Sequence, residues 1–205
     1  FWYGDFYLWF SLVLDLAGVG LIGGLLYMMY RRKWLKLPKL DYARPDREPG
    51  DPDYDRSGYR REDWAFLWAL ILIGFTGFLL EAARLVWLSD TATVWDYRWW
   101  SPIGALMAHV MAGLGMGAEA AGNFRTGLWW FHGVLALAFV ALIPYTKVKH
   151  IFTASASLIF RDPMAGKRLP SVPEDQEDIG IKTITDLTWK QLLHLDSCTK
   201  CGRCH

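Results

Sequence analysis

The sequence predicts an all-α membrane protein, built as a bundle of transmembrane helices with a polar arm behind it. Of the 205 residues, 53% are hydrophobic and 16% are aromatic, which is more apolar than an ordinary soluble domain. The charged residues, 21% of the chain, fall in blocks between apolar runs, as they do in polytopic membrane proteins. All 3 Cys lie near the carboxyl end, in metal or cluster spacing and not as a disulfide framework. The net charge of +1 gives no indication of a nucleic-acid partner.

The first predicted span covers residues 6–30 and ends in the basic run 31–33. The basic residues of the polar loop 31–63 place that loop in the cytoplasm by the positive-inside rule. Asp15 lies within the span, where a carboxylate is costly, so we expect it to have a polar partner or a water pocket. Small residues allow a second helix or a porphyrin to approach closely, and four glycines could do so here: Gly18, Gly20, Gly23 and Gly24.

The second predicted span covers residues 64–88 and carries two charged residues near its end. Glu81 and Arg84 are three positions apart on one helix, which predicts an internal ion pair. Two interpretations remain open. The pair either is neutralised structure near the membrane surface or forms part of a proton or quinone-headgroup site.

The segment 89–100 is poor in basic residues and rich in aromatic ones, which predicts that it lies at the outer surface. Residues 101–125 are apolar but interrupted by glycines, which weaken a helix. If this segment crossed the membrane, the basic residues near the carboxyl end would face the outside. We therefore expect it to form outer interfacial helices. His109 lies in it, as a candidate for a quinone pocket or, less strongly, for a haem ligand.

The third predicted span covers residues 126–148, and His132 and His150 lie eighteen positions apart at its two ends. In one continuous helix that spacing is five whole turns, so both rings would leave the same face, separated by roughly 27 Å. The hydrocarbon core of a bilayer is about 30 Å thick. This spacing suits two haems stacked across a membrane, each taking one axial ligand from the helix. A merely solvated His150 beside Lys149 is the alternative.

The carboxyl-terminal residues 151–205 are predicted to form a cytoplasmic arm and the start of a ferredoxin-like iron–sulfur domain. Cys198, Cys201 and Cys204 are separated by two-residue gaps, which let three thiolates converge on one [4Fe–4S] cubane. A zinc site or an unligated loop is the alternative. The fourth ligand of a cubane is expected from outside the segment that holds these cysteines.

Two parts of the chain resemble a known family. Residues 126–150, with the two histidines and the ending Pro144-Tyr145-Thr146-Lys147, resemble the last helix of the gamma subunit of respiratory nitrate reductase. The run from Trp189 to Cys204 resembles the start of the iron–sulfur part of heterodisulfide-reductase-like proteins, in which such a membrane domain is fused to cluster domains. The resemblance implies two b haems, with His132 at the outer one and His150 at the cytoplasmic one. It also implies further transmembrane helices upstream, which would carry the partner histidines.

These observations predict a membrane-bound, quinone-linked oxidoreductase subunit in the cell membrane, with its iron–sulfur end in the cytoplasm. The predicted domains are a haem b domain at 1–150 and the arm at 151–205. Electrons would pass between the quinone or menaquinone pool and a cytoplasmic redox partner, such as an electron-transfer flavoprotein or a reductase module. Glu81, Arg84 and His109 are the quinone-site candidates. The alternative is a non-catalytic membrane anchor whose cysteines bind zinc and dock a soluble partner. A transporter is disfavoured because paired repeats are missing.

Overall fold

The computed structural model describes residues 4–37, 57–89, 98–161 and 181–197. Within these ranges 86% of the residues are helical and none lies in a strand, which confirms the all-α fold class. The three cysteines lie outside the described residues. The chain forms two compact units, residues 1–140 and residues 141–205. The six α-helices of the described ranges are α1 (Gly4–Lys33), α2 (Ser57–Trp87), α3 (Pro102–Gly113), α4 (Ala118–Leu142), α5 (His150–Ile159) and α6 (Trp189–Asp196).

Three helical stretches are long and apolar enough to cross a membrane: Gly4–Lys33, Arg60–Trp87 and Ala118–Tyr145. In the most apolar 18-residue window of the third stretch, no residue is buried within the protein's own fold. Its outward-facing side chains are large and apolar, among them Trp130, Val134 and Leu137. Such a surface suits lipid and not water, since soluble proteins rarely expose contiguous apolar area on this scale.

The interface between α2 and α3 is the main packed core of the first unit. Close approach of the two backbones depends on small side chains, because a large one would hold the helices apart. Ala82, Ala83 and Ala108 are fully buried there. The remaining buried members are Leu85, Val86, Ala105, Met111 and Ala121. A second apolar cluster holds α1 to α2, and next to the polar loop Arg32 pairs with Asp63 at 2.5 Å.

The segment predicted as outer interfacial helices contains a single break. The helix α3 ends at Gly113, and Gly115 has φ +87°, a left-handed conformation that favours glycine. From Ala118 onward the helix α4 runs without interruption to Leu142. The third long helix therefore begins at Ala118, eight residues before the expected start at 126, and it continues through Gly122 although glycine weakens a helix.

The prediction that one continuous helix carries both His132 and His150 is wrong. The helix α4 ends at Leu142, and two short 3₁₀ turns follow, Ile143–Tyr145 and Lys147–Lys149. Pro144 explains the break, because it has no backbone N–H to donate and its ring clashes with the preceding helical turn. The five-turn register calculated from sequence spacing therefore does not apply to these two histidines.

The second unit is built around the pair α5 and α6. Phe160 and Trp189 pack edge to face, with ring centroids 5.4 Å apart. Ser157 of α5 makes two hydrogen bonds to α6. Its hydroxyl bonds to His194 Nδ1 at 2.8 Å, and its carbonyl oxygen accepts from Lys190 Nζ at 2.5 Å. These contacts fix the orientation of α6 against α5.

The start of α6 is closed by a capping box between Thr188 and Gln191. The backbone N–H of Gln191 donates to the Thr188 hydroxyl at 3.3 Å, and the Gln191 side chain accepts from the Thr188 N–H at 2.8 Å. A 3₁₀ turn at Ile184–Asp186 precedes it, with a similar capping box. Hydrogen bonds from the backbone and side chain of Thr183, and from the Lys182 N–H, hold the pKa of the Asp186 carboxyl below its ordinary value.

Candidate functional site

The buried carboxylate of Asp15 caps the start of α3. It is 6% exposed and accepts from the backbone N–H groups of Ile103 at 2.9 Å and Gly104 at 3.3 Å. The first turn of a helix has N–H groups without intrahelical acceptors, and its positive dipole end favours an anion. The partner that a carboxylate inside the first span requires is therefore the amino terminus of another helix.

Ser101 occupies the N-cap position of α3 but does not cap it. Its hydroxyl instead donates to Glu81 Oε1 at 3.1 Å, and its oxygen lies 2.6 Å from the hydroxyl oxygen of Ser11. Since Asp15 already binds the free N–H groups of this helix, the Ser101 side chain is available for a contact with α2. Ser101 is 3% exposed, so these hydrogen bonds lie inside the protein.

Glu81 and Arg84 form the ion pair that their spacing predicts. Arg84 donates through Nε to Oε2 at 2.9 Å and through Nη2 to Oε1 at 2.6 Å. The guanidinium therefore binds the carboxylate in a bidentate geometry. The guanidinium also lies over the ring of Tyr7, 5.7 Å from its centroid. Both charged side chains retain about a quarter of their exposure, so the pair lies at the edge of the packed core.

A cavity of about 320 Å³ opens between α1 and α2 beside these polar groups. That volume is at the lower end of the range for small-molecule pockets, about 300–1,000 Å³. One part of its wall is polar and the rest is apolar or glycine. The residues that line it are Tyr7, Phe10, Ser11, Leu14, Asp15, Gly18, Gly74, Gly77, Phe78, Glu81 and Ser101.

The predicted quinone-site candidates fall into two places. Glu81 lines the cavity and holds Arg84, whereas His109 is not among the lining residues. The His109 side chain is exposed on α3, and its Nδ1 bonds to the carbonyl oxygen of Ala105 at 2.8 Å, one turn back in its own helix. The structure therefore joins two of the three candidates and leaves His109 apart from the cavity.

His132 is held by a hydroxyl on α2. Its Nδ1 lies 2.8 Å from Thr76 Oγ1, and that hydroxyl donates to the carbonyl oxygen of Leu72 at 2.7 Å. The Thr76 hydroxyl has a single proton, so the direction of its bond to His132 follows the histidine tautomer. In the tautomer that donates from Nδ1 to Thr76, the lone pair lies on Nε2. A histidine that ligates a metal through Nε2 has this arrangement.

Gly77 separates His132 from the cavity. It lines the cavity, and a Cβ built on it would lie 3.8 Å from Cε1 of His132. The imidazole and the cavity are thus separated by the width of one backbone.

His150 lies in the second unit, where its Nδ1 donates to the carbonyl oxygen of Ser197. Beside it Lys149 Nζ pairs with Asp196 Oδ1 at 2.5 Å. Ser197 directly precedes Cys198 in the sequence, so these bonds fix the residue from which the cysteine segment starts. Cys198, Cys201 and Cys204 themselves lie outside the described residues, where they stay a prediction. No group of three His, Cys, Asp or Glu side chains that could hold a metal occurs in the described ranges.

Sequence reasoning missed Ser11, Thr76 and Ser101. Single hydroxyl residues in apolar helices commonly bond to the carbonyl one turn back, as Thr76 also does. Nothing in the sequence pattern marks these three, because their importance depends on which side chains other helices bring to them.

The glycine at position 18 is required by the wall of the cavity. A Cβ there would lie 2.7 Å from Cζ of Phe78, which lines the cavity. We expect Gly18→Ala to push this ring into the cavity and to lower the free energy of unfolding by about 1–3 kcal/mol. Thermal unfolding in detergent measures the effect. Gly20→Ala in the same helix is the matched control, since a Cβ there meets nothing within 4 Å. Equal stability of the two variants would contradict the prediction.

Of the four glycines expected to admit a close neighbour, only Gly18 has one in the structure. Cβ atoms built on Gly20, Gly23 and Gly24 meet no atom within 4 Å. Close approach to α1 occurs at Gly18 because Phe78 of α2 faces it, while the other three glycines lie on surfaces that no described side chain covers.

The fold and the site define a class of protein: a helical bundle with three helices of membrane-spanning length and a partly polar cavity between the first two. The chain is similar to two proteins named as oxidoreductases. It is 33% identical over 207 residues to EtfAB:quinone oxidoreductase of Syntrophomonas wolfei subsp. wolfei (strain DSM 2245B / Goettingen), covering 98% of this chain and 26% of that protein. It is 29% identical over 143 residues to the probable iron-sulfur-binding oxidoreductase FadF of Bacillus subtilis (strain 168), covering 66% of this chain and 19% of that protein.

The chain thus spans about a quarter of the length of the first relative and about a fifth of the second. The likeness supports the predicted relation to iron–sulfur oxidoreductases. No protein-family model and no solved structure matches the chain.

Proposed function

We propose that the chain is the membrane part of a quinone-linked oxidoreductase and that the cavity between α1 and α2 binds the quinone ring. The observation that carries this proposal is the cavity itself, whose wall combines apolar residues and glycines with Ser11, Ser101 and Glu81. A quinone or menaquinone has a flat apolar ring with two carbonyl oxygens, which need polar partners when buried. Both relatives are named as oxidoreductases, and the first is named for a quinone.

The residues present fit a b-type haem at two positions. His132 and His150 each have Nδ1 engaged by an oxygen of another residue, which leaves Nε2 for iron. Each histidine would supply one ligand to the haem iron, and the second imidazole would come from elsewhere. When bound, such a haem supplies one-electron transfer. Thr76 and the Ser197 carbonyl would orient the two rings and fix their tautomers.

The cysteines fit an iron–sulfur cluster by their donor chemistry. Three thiolates separated by two-residue gaps can ligate three irons of one [4Fe–4S] cubane. We propose one or two such clusters in the full-length protein. The carbonyl oxygen of Ser197 bonds to His150, a candidate haem ligand. Cys198 is the next residue after Ser197, so the cluster segment begins directly after a residue that contacts this histidine. We place this end in the cytoplasm of the cell, as the basic residues predict.

The soluble partner that we propose is an electron-transfer flavoprotein, since the first relative is named for EtfAB. A reductase module is the second candidate, supported by the resemblance of the cysteine segment. To distinguish the two candidates, each purified soluble protein is reduced and mixed with the oxidised membrane protein. The true partner is the one that becomes reoxidised while the membrane protein becomes reduced, which the absorbance of the two proteins reports.

The full-length membrane protein tests the function directly. We expect a reduced-minus-oxidised optical spectrum with b-type bands, about two haems per chain in a pyridine-haem assay, and reduction of the chromophores by menadiol. Absence of haem together with no reaction towards menadiol would exclude the quinone-linked function and favour the membrane-anchor alternative.

Replacing Cys198 separates the cluster from the zinc alternative. In the full-length protein we expect Cys198→Ser to remove the iron and acid-labile sulfide of one cluster, since a cubane needs its thiolate ligands. Iron, sulfide and zinc analysis of the purified protein measures this. Ser155→Ala, an exposed change in α5, serves as the control and should retain both. Zinc without sulfide in the unsubstituted protein would contradict the cluster assignment.

A further inference from the structure

We propose that Ser11 and Ser101 form a proton relay that connects the cavity to the carboxylate of Glu81. Glu81 is then the group that exchanges a proton with the bound quinone. This inference rests on the proposed function, because it requires a quinone in the cavity. It adds the path of one proton and two residues, Ser11 and Ser101, to which the sequence gives no role.

The hydrogen-bond directions define the relay. The Ser101 hydroxyl donates to Glu81 Oε1 at 3.1 Å, so its single proton is engaged. The hydroxyl oxygens of Ser11 and Ser101 lie 2.6 Å apart, and Ser11 is therefore the donor between them. The chain of bonds runs from Ser11 through Ser101 to Glu81. All three residues line the cavity, so a ring bound there meets the first member of the relay.

The proton and electron balance follows from these directions. A quinol O–H bound in the cavity gives its proton to the Ser11 oxygen, the Ser11 proton passes to Ser101, and the Ser101 proton passes to Glu81. One O–H bond breaks at the quinol and one forms at the carboxylate, while both serines remain neutral. The two electrons leave one at a time to the one-electron carrier of the proposed function, and the second quinol proton goes to water. Quinone reduction is the reverse.

Arg84 holds the Glu81 carboxylate in place at the end of the relay. It donates two hydrogen bonds to the carboxylate, and both side chains keep about a quarter of their exposure, which gives the carboxylate access to water. Three further titratable or charged groups face this region. They are Tyr7 and Asp15 on α1 and Arg84 on α2.

Asp15 positions the relay and does not take part in the proton transfer to Glu81. Its carboxylate accepts from two backbone N–H groups at the start of α3, so both of its oxygens are engaged. Ser101 directly precedes that helix, so the carboxylate of Asp15 fixes the place of the central hydroxyl in the relay. Asp15 is therefore a positioning residue.

The relay is tested in the full-length protein with menadiol, which carries the menaquinol ring without its tail. Stopped-flow absorbance gives the saturating rate of protein reduction and the menadiol concentration at half-saturation. Proton transfer by a positioned group contributes typically 10²–10⁴-fold to a rate. We expect Ser11→Ala to lower the saturating rate about 100-fold with the half-saturating concentration unchanged within about threefold. Ser11→Thr, which retains the hydroxyl, should restore most of the rate.

The control is Thr126→Ala, which removes an exposed hydroxyl in α4 that bonds only within its own helix in the structure. It should leave both constants unchanged. Ser101→Ala should behave as Ser11→Ala does, and the haem spectrum of each variant verifies folding. An infrared difference spectrum adds an independent measurement. Menadiol should produce a protonated-carboxyl band that Glu81→Gln removes and Ser11→Ala delays.

The outcomes separate the relay from the proposed function. An unsubstituted protein that does not react with menadiol overturns both. A reactive protein in which Ser11→Ala keeps at least half of the rate overturns the relay alone. The same holds if Ser11→Thr is as slow as Ser11→Ala, or if only the half-saturating concentration changes, because the serine would then be a binding contact.

Discussion

His132→Ala is expected to remove one b-type haem per chain and to lower electron transfer from menadiol by at least about 100-fold. The imidazole lies one backbone away from the cavity, across Gly77, and its Nδ1 is held by Thr76. Removing the ring leaves no nitrogen at this position to bind iron. The electron path from the cavity then lacks the carrier that His132 would hold. Pyridine-haem quantification and stopped-flow reduction measure the two effects.

The matched controls for this change are Thr76→Val and His109→Ala. Thr76→Val keeps the imidazole but removes its hydrogen-bond partner, so we expect the haem to stay and its reduction potential to shift, as loss of an outer hydrogen bond does. His109→Ala should leave the haem content unchanged, since that side chain is exposed and bonds to its own helix. Unchanged haem content in His132→Ala would show that His132 is not a ligand.

Asp15→Ala is expected to lower the free energy of unfolding by about 2–3 kcal/mol, the largest effect on stability that we predict. The change leaves the N–H groups of Ile103 and Gly104 without their acceptor in a buried place. An unsatisfied buried donor costs about 1–3 kcal/mol, and the helix also loses the anion at its positive end. Thermal or denaturant unfolding in detergent measures the loss.

Asp15→Asn keeps one acceptor oxygen without the charge, so its loss should be about half as large. Asp5→Ala is the control, because Asp5 lies exposed in the first turn of the same helix. If Asp15→Ala unfolds at the same temperature as Asp5→Ala, then the helix start does not depend on this carboxylate. Asp15→Ala should also slow menadiol oxidation, since Ser101 would no longer be held in position.

The sequence was informative where the cost of burying a charge restricts the possible structures. A carboxylate in an apolar span must find a donor, and Asp15 does so. The three-residue spacing of Glu81 and Arg84 predicts their pair, because helix geometry alone brings them together. In both cases local chemistry leaves few solutions.

The sequence was less informative where tertiary contacts or a single residue decide. The identity of the Asp15 donors depends on how α3 packs, and spacing along the chain does not give that. Pro144 ends the helix that carries His132, although the hydropathy continues through it. Hydroxyl residues such as Ser101 have no periodicity at all, so their partners emerge only from the packed helices.

The bond between Asp15 and the start of α3 also orders the assembly of the protein. The helix α3 has 12 residues, fewer than the roughly 20 that span a bilayer, so it cannot hold itself in place by crossing the membrane. Asp15 is synthesised long before Ile103 and enters the membrane without its final donors, which is costly for a polar group in lipid. A chain interrupted before α3 would leave Asp15 without these donors, so α1 reaches its final packing only when α3 arrives.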